Sequence, residues 1–303
     1  MGSVLDCLPH GSRVALVRLR SLGDCVLTTP AIAILKRARP DVHLAVVVEE
    51  RFRAIFEDNP DIDEILPPLV RPLRSFGPRL CINLHGGTRS AILSALSGAE
   101  QRAGFGHFRH QWIYNVHIPR AQEILGEERT VHTAEHVASA MFFLGARRVE
   151  IPRAFLGTKC GQAKAWPTGI IHAVAATPEK TWSAEGFVAA ALRMREMGLD
   201  PVFIGASGDD LTPFREFRTV VGAPLGEVKE LLASASFFVG NDSGPAHMAA
   251  AFGLPVVVIF GSSNPAIWGP WRTPSEIITS PHGIAAVETS QVLTAMARLK
   301  VAA

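Results

Sequence analysis

Several features that would assign this sequence to particular classes of protein are missing. No apolar run among its 303 residues is long enough to span a bilayer, and the longest, MAAAFGLPVVVIF, is broken by Gly253 and Pro255. We therefore expect any membrane contact to be peripheral. The four cysteines form no Cys-x-x-Cys pair, which favours reduced, structural thiols in a cytosolic protein. A net charge of only +2 gives no sign of a nucleic-acid partner. The N-terminal stretch MGSVLDCLPH lacks the pattern of a signal peptide.

The motifs of several enzyme classes are missing as well. The sequence has no Walker lysine motif and no Gly-x-Ser-x-Gly elbow. Gly104-Phe105-Gly106 begins a dinucleotide fingerprint but lacks its third glycine, so a nicotinamide site is not expected. His132 and His136 lie four residues apart, but HTAEH is not the order of a zinc protease motif, and no third ligand stands out. We predict no bound metal.

Short apolar runs alternate with helical patterns along the first half of the chain. Predicted strands are Arg13–Arg18, His43–Val48, Glu64–Leu66 and Leu80–Leu84. Predicted helices are Thr29–Arg39, Arg51–Glu57, Arg89–Leu96 and His132–Leu144. Strands separated by helices indicate βαβ units and a parallel sheet.

A second alternating series begins at Ile170, after a proline- and glycine-containing stretch at residues 151–168 that we interpret as a linker. Its predicted elements are IIHAVAA, a helix at 184–197, PVFIG, EVKELLASA, FFVG, PAHMAAAFG, VVVIFG and a helix at 289–299. That last helix could pack on either domain. We predict an α/β protein with two Rossmann-like doubly wound domains, residues 1–155 and 165–303. Ligand sites in such folds lie at the carboxyl ends of the strands, here facing a cleft.

The turn GNDSGPAH, residues 240–247, follows one predicted strand and opens a helix. Pro245 suits the first helical turn, and the N–H groups around Gly244 would point outward at the positive end of the helix dipole. The turn therefore predicts an anion site. Because Asn, Asp and Ser are also common helix caps, a capped helix without a ligand is the alternative.

Three other turns follow predicted strands. In TPEKTW, Lys180 could carry positive charge to a diphosphate, or be a solvated surface lysine. In GASGDD, Asp209 could bind ribose hydroxyls or cap a helix. In SLGD, Asp24 could be a general base or a helix cap, and the roles compete because capping lowers the pKa of a carboxyl.

Three stretches together resemble glycosyltransferase family 9, the heptosyltransferases. They are RLRSLGDCVLTTPAIAILK, TPEKTW and FFVGNDSGPAHMAAAFGLPVVVIFGSSNPAIWGPW. The resemblance spans nearly the whole chain. It implies the two-domain GT-B architecture, with an N-terminal acceptor domain and a C-terminal donor domain. It also implies inverting transfer of heptose from ADP-heptose to the inner core of lipopolysaccharide, by a cytoplasmic enzyme that could work at the inner face of the inner membrane.

Carried over motif by motif, the resemblance makes Asp24 the catalytic base, with Gly23 beside it on the acceptor side, and makes Lys180 a contact of the donor phosphates. The donor-binding residues would be Thr177, Lys180, Asp209, Asp242, Ser243, Gly244 and His247. Family members often have Glu where Asp209 stands, so Asp210 could take the ribose instead. Asp242 would turn from the phosphates to the sugar hydroxyls. Lys180 and the N–H groups near Gly244 would stabilise the leaving diphosphate, so that no metal or other cofactor is required.

Residues 71–120 contain seven arginines and a single acidic residue, Glu100. Because a solvated face usually mixes charges of both signs, we hypothesise that Arg89 and Arg109 bind an anionic glycolipid acceptor. Scattered surface arginines with partners elsewhere are the alternative. Two other functions also stay open: a relative that uses another nucleotide sugar or a protein acceptor, and a nucleotide-sugar-binding protein without turnover. The presence of both Asp24 and Lys180 argues against the last.

Overall fold

The computed structural model of the chain describes residues 2–159, 167–175 and 177–299. These residues form two compact units that divide between Gly157 and Thr158. Each unit is built on a six-stranded sheet in which every pairing is parallel. Cys160, much of the predicted linker and the end of the predicted strand at Ala176 lie outside the described residues.

The sheet of the first unit has the strand order β3-β2-β1-β4-β5-β6. Its strands are β1 (Arg13–Val17), β2 (His43–Val47), β3 (Glu64–Leu66), β4 (Leu80–Asn83), β5 (Gln101–Phe105) and β6 (Val116–Ile118). Its helices are α1 (Leu22–Ala38), α2 (Val70–Phe76), α3 (Thr88–Leu96), α4 (Ala121–Leu125) and α5 (Thr133–Leu144), with 3-10 helices at Glu50–Ile55 and Gln111–Ile113. The strand order reverses between β1 and β4, which is where such sheets open a crevice for ligands.

The second unit repeats this topology, with the order β12-β11-β10-β7-β8-β9. Its strands are β7 (Thr168–His172), β8 (Asp200–Gly205), β9 (Arg218–Val221), β10 (Phe237–Asn241), β11 (Val256–Ile259) and β12 (Ser275–Ile278). Its helices are α6 (Ala184–Glu196), α7 (Leu225–Ala233), α8 (Gly244–Ala251), α9 (Pro265–Trp268) and α10 (Thr289–Arg298), with 3-10 helices at Pro178–Lys180, Thr212–Phe214 and Ile284–Ala286. The predicted fold class, two doubly wound α/β domains, is confirmed.

The predicted start of the first helix is wrong. Helix α1 begins at Leu22 and not at Thr29, because Ser21 and Asp24 form a capping box at its N-terminus. Pro30 lies inside the helix and cannot donate to the carbonyl of Val26. The hydroxyl of Thr29 donates to that carbonyl over 2.8 Å, so the helix continues past the proline without an orphaned acceptor.

Helix α10 belongs to the second unit, where it packs against α6, β11 and β12. The sequence left its position open between the two domains. Val292 and Met296 on its inner face are fully buried with Ile284 and Val287. Burying each large apolar side chain stabilises the folded state by about 1.5–3 kcal/mol, so α10 is part of this core. Within the described chain, no helix is both long enough and apolar enough to cross a membrane.

Candidate active site

Four polar turns of the second unit lie at one edge of its sheet. They follow β7, β8, β10 and β11, the strands after which the sequence placed TPEKTW, GASGDD, NDSGPAH and GSSNP. Strands β7 and β10 pair directly, and the order of the sheet reverses between them. The turns after these two strands therefore border the crevice in which doubly wound folds bind ligands.

Asn241, the last residue of β10, joins two of these turns. Its side chain is fully buried, and Nδ2 donates to the carbonyl of Ala173 over 2.8 Å. Its Oδ1 accepts from the backbone N–H of Trp182 over 3.0 Å. The indole Nε1 of Trp182 donates in turn to Val287 over 2.9 Å. Sequence analysis missed Asn241; the available signal was a polar residue at the end of an apolar strand.

Lys180 and Asp242 form an ion pair between the same two turns. Their charged groups lie 3.5 Å apart, and the two side chains are 34% and 10% exposed. The turn after β11 packs closely behind Lys180, because a Cβ added to Gly261 would lie only 2.1 Å from the carbonyl oxygen of Glu179. The predicted phosphate-binding lysine and the carboxylate of NDSGPAH are therefore neighbours in one site.

Ser243 is the N-cap residue of α8, but its hydroxyl is bonded to His172 and not to the first turn of the helix. His172 Nδ1 lies 2.9 Å from Ser243 Oγ. Burial lowers the pKa of His172 to about 4, although the carboxylate of Asp209 acts in the opposite direction. His172 is therefore neutral at physiological pH. Gly244 begins α8, so the N-terminus of this helix, with its positive dipole end, lies at the site.

The other predicted donor residues have identifiable structural contacts. The carbonyl of Thr177 accepts from Lys180 N–H and from the Thr181 hydroxyl, each over 3.0 Å. Asp209 Oδ2 accepts from the N–H of Ala206 over 2.7 Å, which closes the turn after β8. Asp210 Oδ1 accepts from the N–H of Thr212 over 2.9 Å. His247, one turn into α8, is only 5% exposed. Whether Asp209 or Asp210 meets a ribose stays a prediction.

In the first unit, Asp24 lies at the carboxyl end of β1, within the first turn of α1. Its Oδ2 accepts from the hydroxyl of Ser21 over 3.1 Å and from the Ser21 N–H over 3.4 Å. Its Oδ1 lies 3.3 Å from Nη1 of Arg18. Gly23 is buried in the same turn. Asp24 thus takes part in capping, as one of its two interpretations predicted, while its side chain stays 23% exposed.

Arg18 is the residue behind Asp24 that sequence analysis did not single out. It directly follows β1 and is 6% exposed. Burial lowers the pKa of its guanidinium, and the negative charge of Asp24 raises it. Nη1 meets Asp24, whereas Nε is buried without a hydrogen-bond partner among the described residues. The signal was present: a charged residue at the end of a buried strand of a parallel sheet.

Three histidines lie near this edge: His85 after β4, His107 after β5 and His136 on α5. Burial is the first cause that lowers the pKa of each, and the charge of Arg18 lowers it further for His85 and His136. The pKa of His136 falls to about 4, and its ring stacks on Phe105 at 4.2 Å. Such neutral rings can hydrogen-bond to hydroxyl groups, but they add no positive charge for an anion.

The two predicted acceptor arginines differ in their surroundings. Arg89 Nη1 lies 3.5 Å from Glu49 Oε1, and Nη2 donates to the carbonyl of Pro68 over 3.1 Å. Glu49 also pairs with Arg51, so it is shared between two cations. Arg109 lies exposed in the loop between β5 and the 3-10 helix Gln111–Ile113. Acceptor binding by Arg89 and Arg109 stays a prediction.

Two other arginines of the 71–120 segment have structural roles. Arg79 pairs with Glu100 at 3.0 Å. Arg102 donates to the carbonyls of Ile113 and Ala99, each over 3.0 Å. Arg79 and Arg102 therefore fit the alternative interpretation, in which arginines of this segment have partners elsewhere in the protein.

Within the described ranges, no group of three or more His, Cys, Asp and Glu side chains is arranged to hold a metal ion. The chain does contain one Asp-x-Asp sequence, Asp61-Ile62-Asp63, a motif that many sugar transferases use for metal binding. Asp63 pairs with Lys36 at 2.9 Å and accepts from the N–H of Leu44. It precedes β3, so it lies at the edge of the sheet opposite to Asp24.

The amino-acid sequence matches the pattern of one protein family, glycosyltransferase family 9 (heptosyltransferase), over residues 69–294. Lipopolysaccharide heptosyltransferase 3 of Escherichia coli K12 is 25% identical over 84% of this chain and 83% of its own length. Lipopolysaccharide heptosyltransferase 1 of Salmonella typhimurium is 24% identical over 89% of this chain and 95% of its own.

Solved structures show the same fold. A glycosyltransferase of family 9 from Veillonella parvula superposes with a TM-score of 0.83 at 22% identity, covering 95% of this chain and 96% of its own. The E. coli heptosyltransferase WaaC with ADP gives a TM-score of 0.79 at 18% identity, covering 94% and 99%. The sequence match over most of the chain agrees with the topology of the two sheets and with the polar turns at their carboxyl edges. The chain therefore belongs to glycosyltransferase family 9 and is a glycosyltransferase.

Proposed function

We propose that this enzyme is an inverting heptosyltransferase that transfers heptose from ADP-heptose to an inner-core acceptor of lipopolysaccharide. The observation that carries the proposal is the pairing of Lys180 with Asp242 at 3.5 Å, beside the N-terminus of α8. This places a cation, a carboxylate and the positive end of a helix dipole at one edge of a nucleotide-binding fold. The names of the curated relatives, lipopolysaccharide heptosyltransferases, support the sugar and the acceptor.

The charges of the second unit fit a sugar diphosphate. The diphosphate would bind at the N-terminus of α8 and against the ammonium group of Lys180, which carry positive partial and full charge. Asp242 would repel phosphate oxygens and accept hydrogen bonds from sugar hydroxyls instead. The contact with Asp242 would hold the ammonium group of Lys180 so that it faces the diphosphate. Solved structures of E. coli WaaC with ADP and with ADP-2-deoxy-2-fluoro heptose support an adenosine donor.

The first unit would supply the base. The acceptor hydroxyl attacks the anomeric carbon from the face opposite the leaving ADP, and Asp24 takes the hydroxyl proton as the new bond forms. Arg18 and Ser21 hold the carboxylate in place, one on each oxygen. The capping bonds of Asp24 are long, 3.1 and 3.4 Å, so they leave the carboxylate able to accept a further hydrogen bond, from the acceptor hydroxyl.

Departure of ADP builds negative charge on the diphosphate. Lys180 and the first N–H groups of α8 would stabilise this charge more in the transition state than in the bound donor. Removing one such donor typically costs about 2.7–4 kcal/mol of barrier. On this mechanism the donor ADP-heptose is the only small molecule needed, and no metal takes part.

On the acceptor side, we propose that Arg89 and Arg109 bind carboxylates or phosphates of a glycolipid. An acceptor of this kind places the enzyme in the cytoplasm, at the inner face of the inner membrane, with peripheral contact only.

Two alternatives from the sequence are retained: a different nucleotide sugar or a protein acceptor, and nucleotide-sugar binding without turnover. The ordered Asp24–Arg18 contact favours turnover, because a binding protein has no use for a positioned base.

The test is release of ADP from ADP-heptose in the presence of a heptose-deficient lipopolysaccharide core. We expect ADP release that depends on the acceptor and is lost in Asp24→Asn. Thermal shifts with ADP, UDP and GDP independently test which nucleobase the donor carries. Stabilisation by UDP alone would exclude the adenosine donor, and donor binding without any acceptor-dependent ADP release would favour the non-catalytic alternative.

A further inference from the structure

Four large apolar side chains are exposed on neighbouring elements of the first unit. They are Leu69 (55% exposed), Ile92 (49%), Leu96 (47%) and Trp112 (78%), and we call them the Trp112 patch. Trp112 is the most exposed large apolar residue of the described chain. An exposed leucine is ordinary, but a group of four that includes a tryptophan marks a contact surface.

Helix α3 presents part of this patch along one face. Ala91 and Leu93 are buried, whereas Ile92 and Leu96, one turn apart, point outward. An amphipathic surface helix normally turns polar residues to solvent, so an apolar stripe on its outer side is unusual. Ile92 and Leu96 have the i, i+4 spacing of a helix face that packs against a partner, but no described residue covers them.

The loop that carries Trp112 is fixed to α3. Ile113 packs with Ala91 and Tyr114 in a small buried cluster. His110 Nε2 lies 3.0 Å from the hydroxyl of Thr88, at the N-terminus of the helix. Because Ile113 and His110 are both held against α3, the 3-10 turn between them points the indole of Trp112 outward. Its exposure therefore follows from the packing of the loop.

Leu69 extends the patch at the other side of α3. The carbonyl of Pro68, its neighbour, accepts from Arg89 in the first turn of this helix over 3.1 Å. Leu69 is the N-cap residue of α2, which packs against α3. The apolar side chains thus come from α2, α3 and the loop after β5.

The charge around the patch is positive. Arg109 lies three residues before Trp112, Arg71 lies two residues after Leu69, and both are exposed. Between residues 71 and 120 Glu100 is the only acid, and it is paired with Arg79. Exposed apolar and indole side chains with arginines on the same surface are the composition of interfacial membrane-binding segments. Anionic headgroups attract such arginines.

We propose that the Trp112 patch docks the enzyme on the surface of an anionic lipid bilayer. The indole and the aliphatic side chains would enter the headgroup region while Arg71 meets lipid phosphates, and Arg109, the proposed acceptor contact, would lie against the same surface. The biological purpose of this contact rests on the proposed function, because a glycolipid acceptor lies in such a surface. A second copy of the chain fits less well, because a two-fold contact through this patch would bring the arginines of both copies together, and like charges that face each other weaken an interface.

The experiment is flotation of the full-length enzyme with vesicles of phosphatidylcholine, with and without phosphatidylglycerol. We expect binding to the anionic vesicles, a blue shift of tryptophan fluorescence, and release at about 0.5 M salt, where charges are screened. Trp112→Ser, and separately Ile92→Ser combined with Leu96→Ser, should weaken binding roughly tenfold or more. Phe143→Ser is the matched control, because Phe143 is 39% exposed on α5, outside the patch.

Several outcomes would overturn the inference. The wild-type enzyme could fail to bind vesicles, or Trp112→Ser could bind them as well as the wild type does. Sedimentation could also show a wild-type dimer that Trp112→Ser dissociates, with no binding to vesicles. Unfolding curves check that each variant is folded. Transfer to a lipid-free, soluble core oligosaccharide separates the two proposals. It should be unchanged in Trp112→Ser, whereas its failure in the wild-type enzyme would refute the proposed function and leave vesicle binding intact.

Discussion

The ammonium group of Lys180 lies 3.5 Å from Oδ2 of Asp242, so the cation predicted to meet the donor's phosphates already has a carboxylate partner. Both side chains are largely buried, at 34% and 10% exposure, and an ion pair in such a place is screened less than a surface pair. Asp242 therefore restricts where Lys180 can point. A bound diphosphate would share the ammonium group with this carboxylate.

Replacing Lys180 with Met should impair donor use strongly. We expect kcat/KM for the donor to fall by roughly 10²–10³, because one charge-stabilising group is lost from the leaving diphosphate. Lys180→Arg should retain part of the activity, since it keeps the charge. Calorimetry with ADP would test the contact directly: undiminished ADP affinity in Lys180→Met would remove Lys180 from the phosphate site.

Asp242→Asn should raise the KM for the sugar donor and leave the pH dependence of kcat unchanged. The amide keeps the shape of the carboxylate but loses charge and the ability to orient Lys180. The measurement is a pH profile of kcat for both proteins with saturating donor. If the acidic limb of the profile disappears in the variant, Asp242 and not Asp24 is the group that must be deprotonated.

Asp24→Asn separates catalysis from capping at the start of α1. The amide keeps the shape of the carboxylate but leaves the buried guanidinium of Arg18 without its counter-charge. The free energy of unfolding should therefore fall by about 1–3 kcal/mol, while kcat falls by roughly 10²–10⁴ because the base is lost. Ser21→Ala is the control in which the cap is weakened and the base is kept. It removes the hydroxyl that contacts Asp24 and should cost about 1 kcal/mol of stability with most turnover retained. Near wild-type turnover in Asp24→Asn would leave Asp24 as a cap only.

Gly261→Ala tests whether close packing positions Lys180. The added methyl carbon would lie 2.1 Å from the carbonyl oxygen of Glu179, and backbone atoms cannot move aside cheaply. We expect a loss of about 1–3 kcal/mol in the free energy of unfolding and weaker ADP binding, as the 3-10 helix shifts. Gly208→Ala, where a Cβ meets nothing within 4 Å, should affect neither quantity. Equal ADP affinity in Gly261→Ala and wild type would contradict this role.

Two partly buried histidines, His172 and His136, predict loss of stability in mild acid. The pKa of His172 is lowered from its ordinary 6.5 to about 4 in the folded chain, as is that of His136. Between these values the unfolded chain binds more protons than the folded chain. The free energy of unfolding should therefore fall as pH decreases from about 6.5 to about 4, by up to about 1.4 kcal/mol per pH unit for each histidine. Above pH 6.5 these groups should contribute no further change.

Urea unfolding across this range measures the effect. His172→Asn should have a shallower decline than the wild-type protein. An equal slope in wild type and His172→Asn would mean that His172 does not titrate on unfolding as proposed.

The central strands of both sheets could be predicted from sequence because they are covered on both faces. Such strands are continuous apolar runs, as in VALV of β1 and VVVI of β11. Among the described strands, those missed are β6 (VHI), β9 (RTVV) and β12 (SEII), which lie at sheet edges, and β5 (QRAGF), which lies next to an edge; all but β6 carry a charged residue. Edge strands are often charged, and this removes the pattern by which a strand is predicted.

The positions of Lys180 and Asp242, in turns at the carboxyl ends of strands, could be predicted from sequence, and their roles in donor binding stay predictions. The residues that hold them could not, because their roles depend on contacts distant in the chain. Asn241 bonds to Ala173, 68 residues away, and His172 bonds to Ser243, 71 residues away. Arg18 is close to Asp24 in sequence, but its burial becomes visible only in the folded sheet.

The amide of Asn241 has a consequence for how the enzyme distinguishes one donor from another. It bonds to Ala173 and to Trp182, on either side of Lys180 in the chain, and so links the turn that carries Lys180 to the turn that carries Asp242. A donor with a longer or differently angled diphosphate could not be accommodated by moving one turn alone. Selection of the donor would then reside in a fixed spacing between cation and carboxylate, and variants at position 241 should broaden the range of nucleotide sugars that bind.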